Sequence, residues 1–193
     1  MNNSTGDIEP PQLLPGKEAP ASEYAYTTLY VHVYPSPLFA AHWSFFLPRE
    51  DLKSEIGDRI HVTGDGLNGF EYEYVRDYDP KEDARRPNAF PIGRVMMTAM
   101  QRLIGGQVVD EADDRSMFDR ICRQVPAPGP SLNSASASTG NGAPKRREVR
   151  DCQWWIKQAT IHLVNEGILL PLDQSDAHPA ESPLTRVDAL PKH

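Results

Sequence analysis

The order of strand and helix patterns along this chain restricts its fold more than any other feature. Residues 70–77 alternate aromatic or aliphatic with charged side chains, the period-two pattern of a half-exposed strand. Strand patterns rich in β-branched and aromatic residues precede it, and helix patterns follow it: strands at 24–34, 39–47 and 58–63, helices at 97–103, 113–125 and 151–166. Strands followed by helices are typical of the α+β class. We therefore predict an antiparallel sheet meander with helices packed on it.

Three stretches lack a periodic apolar pattern and are predicted to be disordered: residues 1–22, 126–147 and 171–193. The middle one is rich in Pro, Ser and Gly, and such a composition cannot bury enough apolar surface to fold. The remaining chain, residues 23–170, is predicted to be one domain interrupted by this insertion. Within it, residues 90–95 are a further strand candidate. Pro91 predicts an edge position for that strand, because a proline cannot donate to a ladder.

Composition excludes several classes of protein. The net charge of -7 argues against broad nucleic-acid binding, which depends on neutralising phosphates. Two cysteines give neither a disulfide framework nor zinc-ligand spacing, and no glycine-rich phosphate loop is present, so we predict no metal and no cofactor. No apolar run reaches transmembrane length and the N-terminus lacks a signal-peptide core, so we expect no membrane span and a cytoplasmic protein with free thiols.

Cys152 occupies a position at which cysteines can become reactive. Asp151 is a suitable N-cap, Cys152 is then the first helical residue, and Gly167 ends the helix. The positive end of the helix dipole favours thiolate over thiol, whereas the charge of Asp151 opposes it. The sequence therefore leaves two interpretations, a nucleophile and a small core residue.

Histidines lie inside the strand patterns that precede this helix. His42 and His61 are on consecutive strands, and His32 is on the strand before them. A single histidine in a strand is ordinarily a partly buried core residue, but two on neighbouring strands can lie side by side and face a cysteine on a packed helix. Such a Cys–His pair makes a nucleophile, and a third polar group orients the imidazole. Strand register decides whether His61 or His32 is the relevant neighbour. Glu71 and Glu73 share a strand face that we predict to be solvent-exposed.

These segments carry a family resemblance. His-Trp-Ser-Phe-Phe at 42–46, Arg-Ile-His-Val at 59–62 and Asp-Cys-Gln-Trp-Trp at 151–155 resemble the circularly permuted papain-like cysteine enzymes, in particular the lecithin-retinol-acyltransferase-like branch. The resemblance spans residues 26–170 and implies that Cys152 is the nucleophile, His42 the base and His61 the orienting residue. The chain departs from that pattern in its long insertion, in Asp151 where Asn is usual, and in lacking an apolar anchor. It also resembles uncharacterised small fungal proteins with the same His-Trp and Cys-x-x-Trp pattern, a likeness that implies no function.

Side chains around the predicted Cys–His pair are candidates for substrate binding, namely Trp43, Arg150 and Trp155. The two tryptophans are also natural sheet-packing residues. Arg150 belongs to a basic cluster with residues 145–147. This cluster is either the solvated end of a linker or a binding site for an anionic carrier such as tRNA or coenzyme A.

Three functions remain open from the sequence. The first is a cysteine-dependent acyl-transfer enzyme, which hydrolyses or transfers a small-molecule or carrier-bound acyl group through a thioester on Cys152. The second is an aminoacyl-tRNA-dependent cyclodipeptide synthase or related peptide-bond-forming transferase, against which the net charge of -7 counts. The third is a non-catalytic binding domain on a papain-like frame, with Cys152 and His42 in the core.

Overall fold

The fold is mixed α+β, built on one antiparallel sheet. The computed structural model describes residues 26–49, 56–100, 103–104, 107–108, 116–131, 150–172 and 181–193. The strands are β1 (Tyr26–Tyr34), β2 (His42–Pro48), β3 (Gly57–Asp65), β4 (Gly69–Tyr78), β5 (Asn88–Met96), β6 (Leu103–Ile104), β7 (Gln107–Val108) and β8 (Leu169–Leu170). Six of them form a sheet in the order β4-β3-β2-β1-β5-β8, and β6 pairs with β7. The sequence-based prediction of an α+β fold with an antiparallel sheet is confirmed.

The position of β5 differs from the prediction. It pairs with β1 along its length and with β8 at Arg94 and Val95, so it is not a simple edge strand. Pro91 is nevertheless accommodated, because the β8 pairing does not extend to it and the β1 register shifts between Leu29 and Tyr30, opposite this residue. A bulge is one of the few places at which a sheet tolerates proline.

Four helices accompany the sheet in the described part of the chain: α1 (Met97–Met100), α2 (Met117–Gln124), α3 (Cys152–Asn165) and α4 (Pro183–Asp188). The longest, α3, begins as predicted, since the side chain of Asp151 accepts from the backbone N–H of Trp154 at 3.0 Å. Gly167 follows it with a φ of 69°, a left-handed conformation that glycine adopts without strain. None of the helices in these described ranges is long and apolar enough to cross a membrane.

Alternation along the strands gives the sheet two different faces. On the helix face, the side chains of Trp43, Phe45 and Ile60 are fully buried and pack toward α2 and α3. The ring of Phe45 lies 6.0 Å from that of Trp155. On the opposite face, which we call the far face, lie His32, His42, Phe46 and His61. This division decides which of the candidate site residues can meet.

Two segments predicted to be disordered are ordered in part. Residues 126–131, at the start of the predicted insertion, are tied to the β3–β4 turn by bonds from Phe70 N to Pro128 O (2.8 Å) and from Ser131 N to Gly66 O (2.9 Å). The remainder of the insertion, like residues 1–22, lies outside the described residues.

The prediction of a disordered tail over 171–193 is wrong for residues 181–193. There α4 forms, Val187 and Leu190 are buried, and Ala41 N donates to Lys192 O at 2.9 Å. A short segment of low overall hydropathy can be ordered when its few apolar residues fall against an existing core.

Candidate functional site

Two of the predicted site residues meet on the far face of the sheet. The ladder between β2 and β3 runs from the Phe45–Ile60 pair to the Pro48–Gly57 pair. His42 and His61 lie beyond its end, and His42 Nε2 is 2.8 Å from His61 Nδ1. The structure thus brings together the two histidines that the sequence placed on consecutive strands.

Glu73 extends this pair into a chain of three side chains. It stands directly opposite His61 in the β3–β4 ladder, and its Oε2 lies 2.6 Å from His61 Nε2. The guanidinium of Arg59 lies 3.6 Å from the same carboxylate. The prediction that this strand face is exposed is confirmed, since the Glu73 side chain is 45% exposed, but the contact of Glu73 with His61 was not predicted. A usable signal was present, since the turn chemistry at 64–69 fixes a hairpin register that pairs His61 with Glu73.

The hydrogen-bond chain determines the tautomer of each ring. An ionised carboxylate only accepts, so His61 must carry its proton on Nε2 and present a lone pair on Nδ1. His42 must then donate from Nε2, which leaves the lone pair of its own Nδ1 free of this chain. This assignment follows from the hydrogen-bond network. It leaves His42 Nδ1 unprotonated, with a lone pair that can accept a proton.

Burial keeps both rings neutral. Loss of solvation, with smaller contributions from His61, Arg85 and Arg59, lowers the pKa of His42 to about 3. Burial, followed by the charge of Arg59, also lowers the pKa of His61, although the hydrogen bond to Glu73 works in the opposite direction. At neutral pH both rings are therefore uncharged, and each carries a single N–H proton.

Cys152 lies on the helix face at the start of α3. Its thiol is buried and accepts hydrogen bonds from the backbone N–H groups of Trp43 and Gln153. Burial nevertheless raises the pKa of Cys152 to about 11, and the charge of Asp151 also raises it. The helix dipole that favoured a thiolate is thus outweighed by desolvation, and the resting group is a neutral thiol.

Cys152 and the side chain of His42 lie on opposite faces of β2. Cys152 is on the helix face, whereas the His42 ring is on the far face. The thiol contacts the backbone of Trp43, the residue next to His42, at the point where β3 has left β2. The hydrogen bonds between described residues include none from Cys152 to His42 or His61. Because successive side chains of a strand point to opposite faces, the His42 ring reaches the thiol only through the gap between β2 and β3.

The other candidate residues have different roles. His32 stacks on Phe46 at a ring distance of 4.3 Å and does not join the His42–His61 pair. Trp43 and Trp155 have no exposed surface, and their indole N–H groups donate at 3.0 Å to Pro191 O and Val125 O. These two tryptophans therefore serve in packing, and the resting structure exposes neither of them to a substrate.

The basic cluster is only partly described. The guanidinium of Arg150 lies 4.9 Å from the ring centre of Trp154, at the entrance to α3, while residues 145–147 lie outside the described residues. Among the residues that the structure describes, no group of three His, Cys, Asp or Glu side chains is placed to hold a metal ion.

Residues 29–170 match the model of DUF6540, a family of unknown function. The chain belongs to this family. No curated protein and no solved structure matches this chain. The stretch shared with DUF6540 contains His42, His61, Glu73 and Cys152 and ends before α4. The site residues thus lie within the matched region, whereas α4 lies outside it.

Proposed function

We propose that this protein is a cysteine-dependent acyl-transfer enzyme on a circularly permuted papain-like frame, with Cys152 as nucleophile and His42 as general base. The observation that carries the proposal is the Glu73–His61–His42 chain, with its contacts of 2.6 Å and 2.8 Å, on the strand whose next residue hydrogen-bonds the Cys152 thiol. A sheet followed by a cysteine-bearing helix also supports the permuted frame.

The proposed reaction begins from the neutral thiol and neutral imidazole. As Sγ attacks the acyl carbonyl carbon, the thiol proton passes to His42 Nδ1, and the carbonyl π electrons move onto oxygen. Collapse of this intermediate expels the leaving group, which takes the proton from His42 and leaves a thioester on Cys152. Water or an amine then attacks the thioester and gives its proton to His42, and the thiol leaves protonated.

His61 and Glu73 act as positioning residues in this scheme. They hold His42 in the tautomer with a basic Nδ1, and the Glu73 carboxylate stabilises the positive charge that develops on the rings. The backbone N–H groups of Cys152 and Gln153, which act on Sγ in the resting state, donate to the oxyanion once Sγ has attacked. Substrate binding must bring the His42 ring and Sγ together at the gap between β2 and β3 while the His42–His61 contact is kept, since the resting contacts do not include a Cys152–His42 bond.

A non-catalytic binding domain is the second candidate function. The raised pKa of Cys152, which is about 11 because of burial, favours it, as does the position of His42 on the far face. On this interpretation the three-residue chain is a satisfied polar network that specifies strand register.

The deciding experiment is to trap the acyl-enzyme. The native protein is incubated with p-nitrophenyl acetate and, separately, with acetyl-coenzyme A and with an aminoacyl-tRNA, and intact and peptide mass spectrometry locates any acyl group. We expect acylation of Cys152 that is abolished in Cys152→Ala and strongly reduced in His42→Ala. Acylation from aminoacyl-tRNA alone, lost after ribonuclease treatment, would redirect the proposal to the tRNA-dependent transferase.

Cys122 supplies an internal control, because it is the second thiol of the same chain and is fully buried in α2. Acetyl groups on surface lysines or on Cys122 at the same rate as on Cys152 would count as chemical background. If circular dichroism shows folded protein and Cys152 remains free with all three donors, the enzyme proposal fails and the binding-domain interpretation stands.

A further inference from the structure

The edge of β2 beside Cys152 is paired with other parts of the chain at the point where β3 has left it. The backbone N–H of Trp43 donates to the Cys152 thiol, and the backbone N–H of Ala41 donates to Lys192 O at 2.9 Å. The carbonyl of Ala41 accepts from Gln153 Nε2 at 2.8 Å. Ala41 and Trp43 are two residues apart, so their backbone groups face the same edge of an extended chain. The thiol and the C-terminal segment therefore lie next to each other along this edge.

Residues 190–193, which we call the strap, are held by the same two residues that hydrogen-bond the thiol. Trp43 donates to Sγ through its backbone N–H and to Pro191 O through its indole N–H, at 3.0 Å. Gln153 donates to Sγ through its backbone N–H and to Lys192 O through its side chain, also at 3.0 Å. The thiol and the strap thus share two neighbours, so movement of the strap changes the surroundings of the thiol.

The strap is attached by a small packed surface. It follows α4, and its one buried side chain is Leu190, at 7% exposure, whereas residues 191–193 are exposed. Two successive carbonyls, those of Pro191 and Lys192, accept its hydrogen bonds from β2 and α3. A surface segment with a single buried apolar side chain opens locally at a lower free-energy cost than the core to which it is attached.

The Cys152 thiol is closed off in the resting structure. Cys152 is 6% exposed, so a reagent or a substrate reaches Sγ only after part of its surroundings moves. Three segments meet at this point, namely the start of β2, the start of α3 and the strap. Strand β2 and helix α3 carry fully buried side chains such as Trp43 and Ile156, whereas the strap lies at the surface. Among these three segments, the strap is therefore the one whose movement breaks the fewest core contacts.

We propose that the strap controls access to Cys152, and that a substrate reaches the thiol when residues 190–193 detach from β2 and α3. Helix α4 stays in place in the open state, because its Val187 is anchored in the core at 2% exposure. Detachment also frees the N–H of Ala41, which then donates to a carbonyl oxygen of the substrate instead of Lys192 O. The role of the strap in catalysis rests on the proposed acyl transfer, but its control of access applies to any reagent that reacts with the thiol.

The test is alkylation of the folded full chain by iodoacetamide at one fixed pH, with peptide mass spectrometry to measure the rates at Cys152 and Cys122. The ratio of these two rates separates local opening from global unfolding, because Cys122 is fully buried in α2. Leu190→Ala should raise the ratio by about tenfold or more, since it removes the buried side chain of the strap. Gln153→Met keeps the length of the side chain but removes its donor to Lys192 O, and should raise the ratio about threefold.

The matched control is Leu29→Ala, which makes the same substitution at a fully buried position of β1, at the opposite end of the β1–β2 ladder from His42. It should keep the wild-type ratio even though it lowers global stability. An unchanged ratio in both strap variants, or an equal rise in Leu29→Ala, would overturn the proposal. If circular dichroism shows that Leu190→Ala does not fold, the comparison of Gln153→Met with the wild type decides.

The same variants separate the strap from the proposed enzyme activity. Iodoacetamide needs no catalysis, whereas acylation by p-nitrophenyl acetate tests the proposed reaction. A raised labelling ratio without acylation of Cys152 would support the strap and contradict the enzyme. Acylation of Cys152 with an unchanged labelling ratio in the strap variants would support the enzyme and contradict the strap.

Discussion

His42 Nε2 and His61 Nδ1 are joined at 2.8 Å across neighbouring strands, just beyond the point where the ladder between those strands ends. The two side chains therefore join β2 and β3 where backbone pairing does not. This contact makes the pair both a structural link and the centre of the proposed site, and its two roles can be measured separately.

The structural role predicts an energetic coupling between the two rings. In a double-mutant cycle with His42→Ala and His61→Ala, measured by urea unfolding, we expect a coupling of about 0.5–1.5 kcal/mol, the worth of one part-buried hydrogen bond. A cycle of His42→Ala with His162→Ala, on α3, should be additive. Additivity in the first cycle would contradict the hydrogen bond.

The carboxylate of Glu73 predicts which tautomer each ring adopts. Long-range proton–nitrogen correlation spectra of the native protein should show both His42 and His61 protonated on Nε2. Glu73→Gln replaces an acceptor by a group that can also donate, so both rings should then populate the Nδ1–H form. Glu71→Gln, on the same strand face, is the control and should leave the spectra unchanged. An Nδ1–H form of His42 in the native protein would remove the proposed base.

Lowering the pH should begin to destabilise the protein at pH values well above those at which its carboxylates titrate. Burial lowers the pKa of His32 from 6.5 to about 4 and that of His42 from 6.5 to about 3, so the unfolded chain binds these protons first. Stability is therefore fully present above pH 6.5 and falls as pH decreases below it, by about 1.4 kcal/mol per pH unit for each such ring.

Urea midpoints measured between about pH 7 and about pH 5 test this dependence. His32→Phe removes one of the titrating rings and should give a shallower slope. Gln158→Ala, which removes no titrating group, is the comparison and should keep the wild-type slope. A flat profile in the native protein would show that the rings are not buried as neutral groups.

Alkylation by iodoacetamide should report a thiol, not a resting thiolate, at Cys152. Because burial raises its pKa to about 11, the labelling rate should keep rising well past about 8.5, the value of a free cysteine. His42→Ala should leave this profile unchanged even though it impairs acylation, which separates a general base from a resting ion pair. Cys122, whose pKa burial also raises, should label only on unfolding. An apparent pKa of Cys152 below the free value would indicate a thiolate–imidazolium pair instead.

Gln153 connects the start of α3 to the C-terminal segment. Its Nε2 donates to Ala41 O at 2.8 Å and to Lys192 O at 3.0 Å. Gln153→Ala should cost about 1–3 kcal/mol in urea unfolding, because it leaves the buried carbonyl of Ala41 and the part-buried carbonyl of Lys192 with fewer donors. It should also speed Cys152 alkylation as the segment loosens. Gln158→Ala makes the same substitution on the same helix and should change neither. Unchanged stability in Gln153→Ala would mean that water replaces both bonds without loss.

Local chemistry was sufficient to predict the long strands and α3, but not α4 or the short strand β6, whose Leu103 was predicted to be helical. Asp151 and Gly167 marked the two ends of α3 because capping and left-handed termination depend only on neighbouring residues. The alternation at residues 70–77 predicted a strand for the same reason. The contact between Glu73 and His61 was not predicted, because an exposed strand carboxylate has the same sequence pattern whether or not a histidine lies opposite it. Only the register of the hairpin distinguishes the two cases.

Tertiary structure decided which of these residues meet. Register paired His61 with Glu73 and brought it to His42, while His32 was left stacked on Phe46. The depth of burial decided the charge of Cys152, because desolvation outweighs a helix dipole that the sequence could predict. Pattern, capping and turn chemistry are local and therefore readable in sequence, whereas register, burial and pKa arise from the packing of distant segments and exist only once the sheet and helices have assembled.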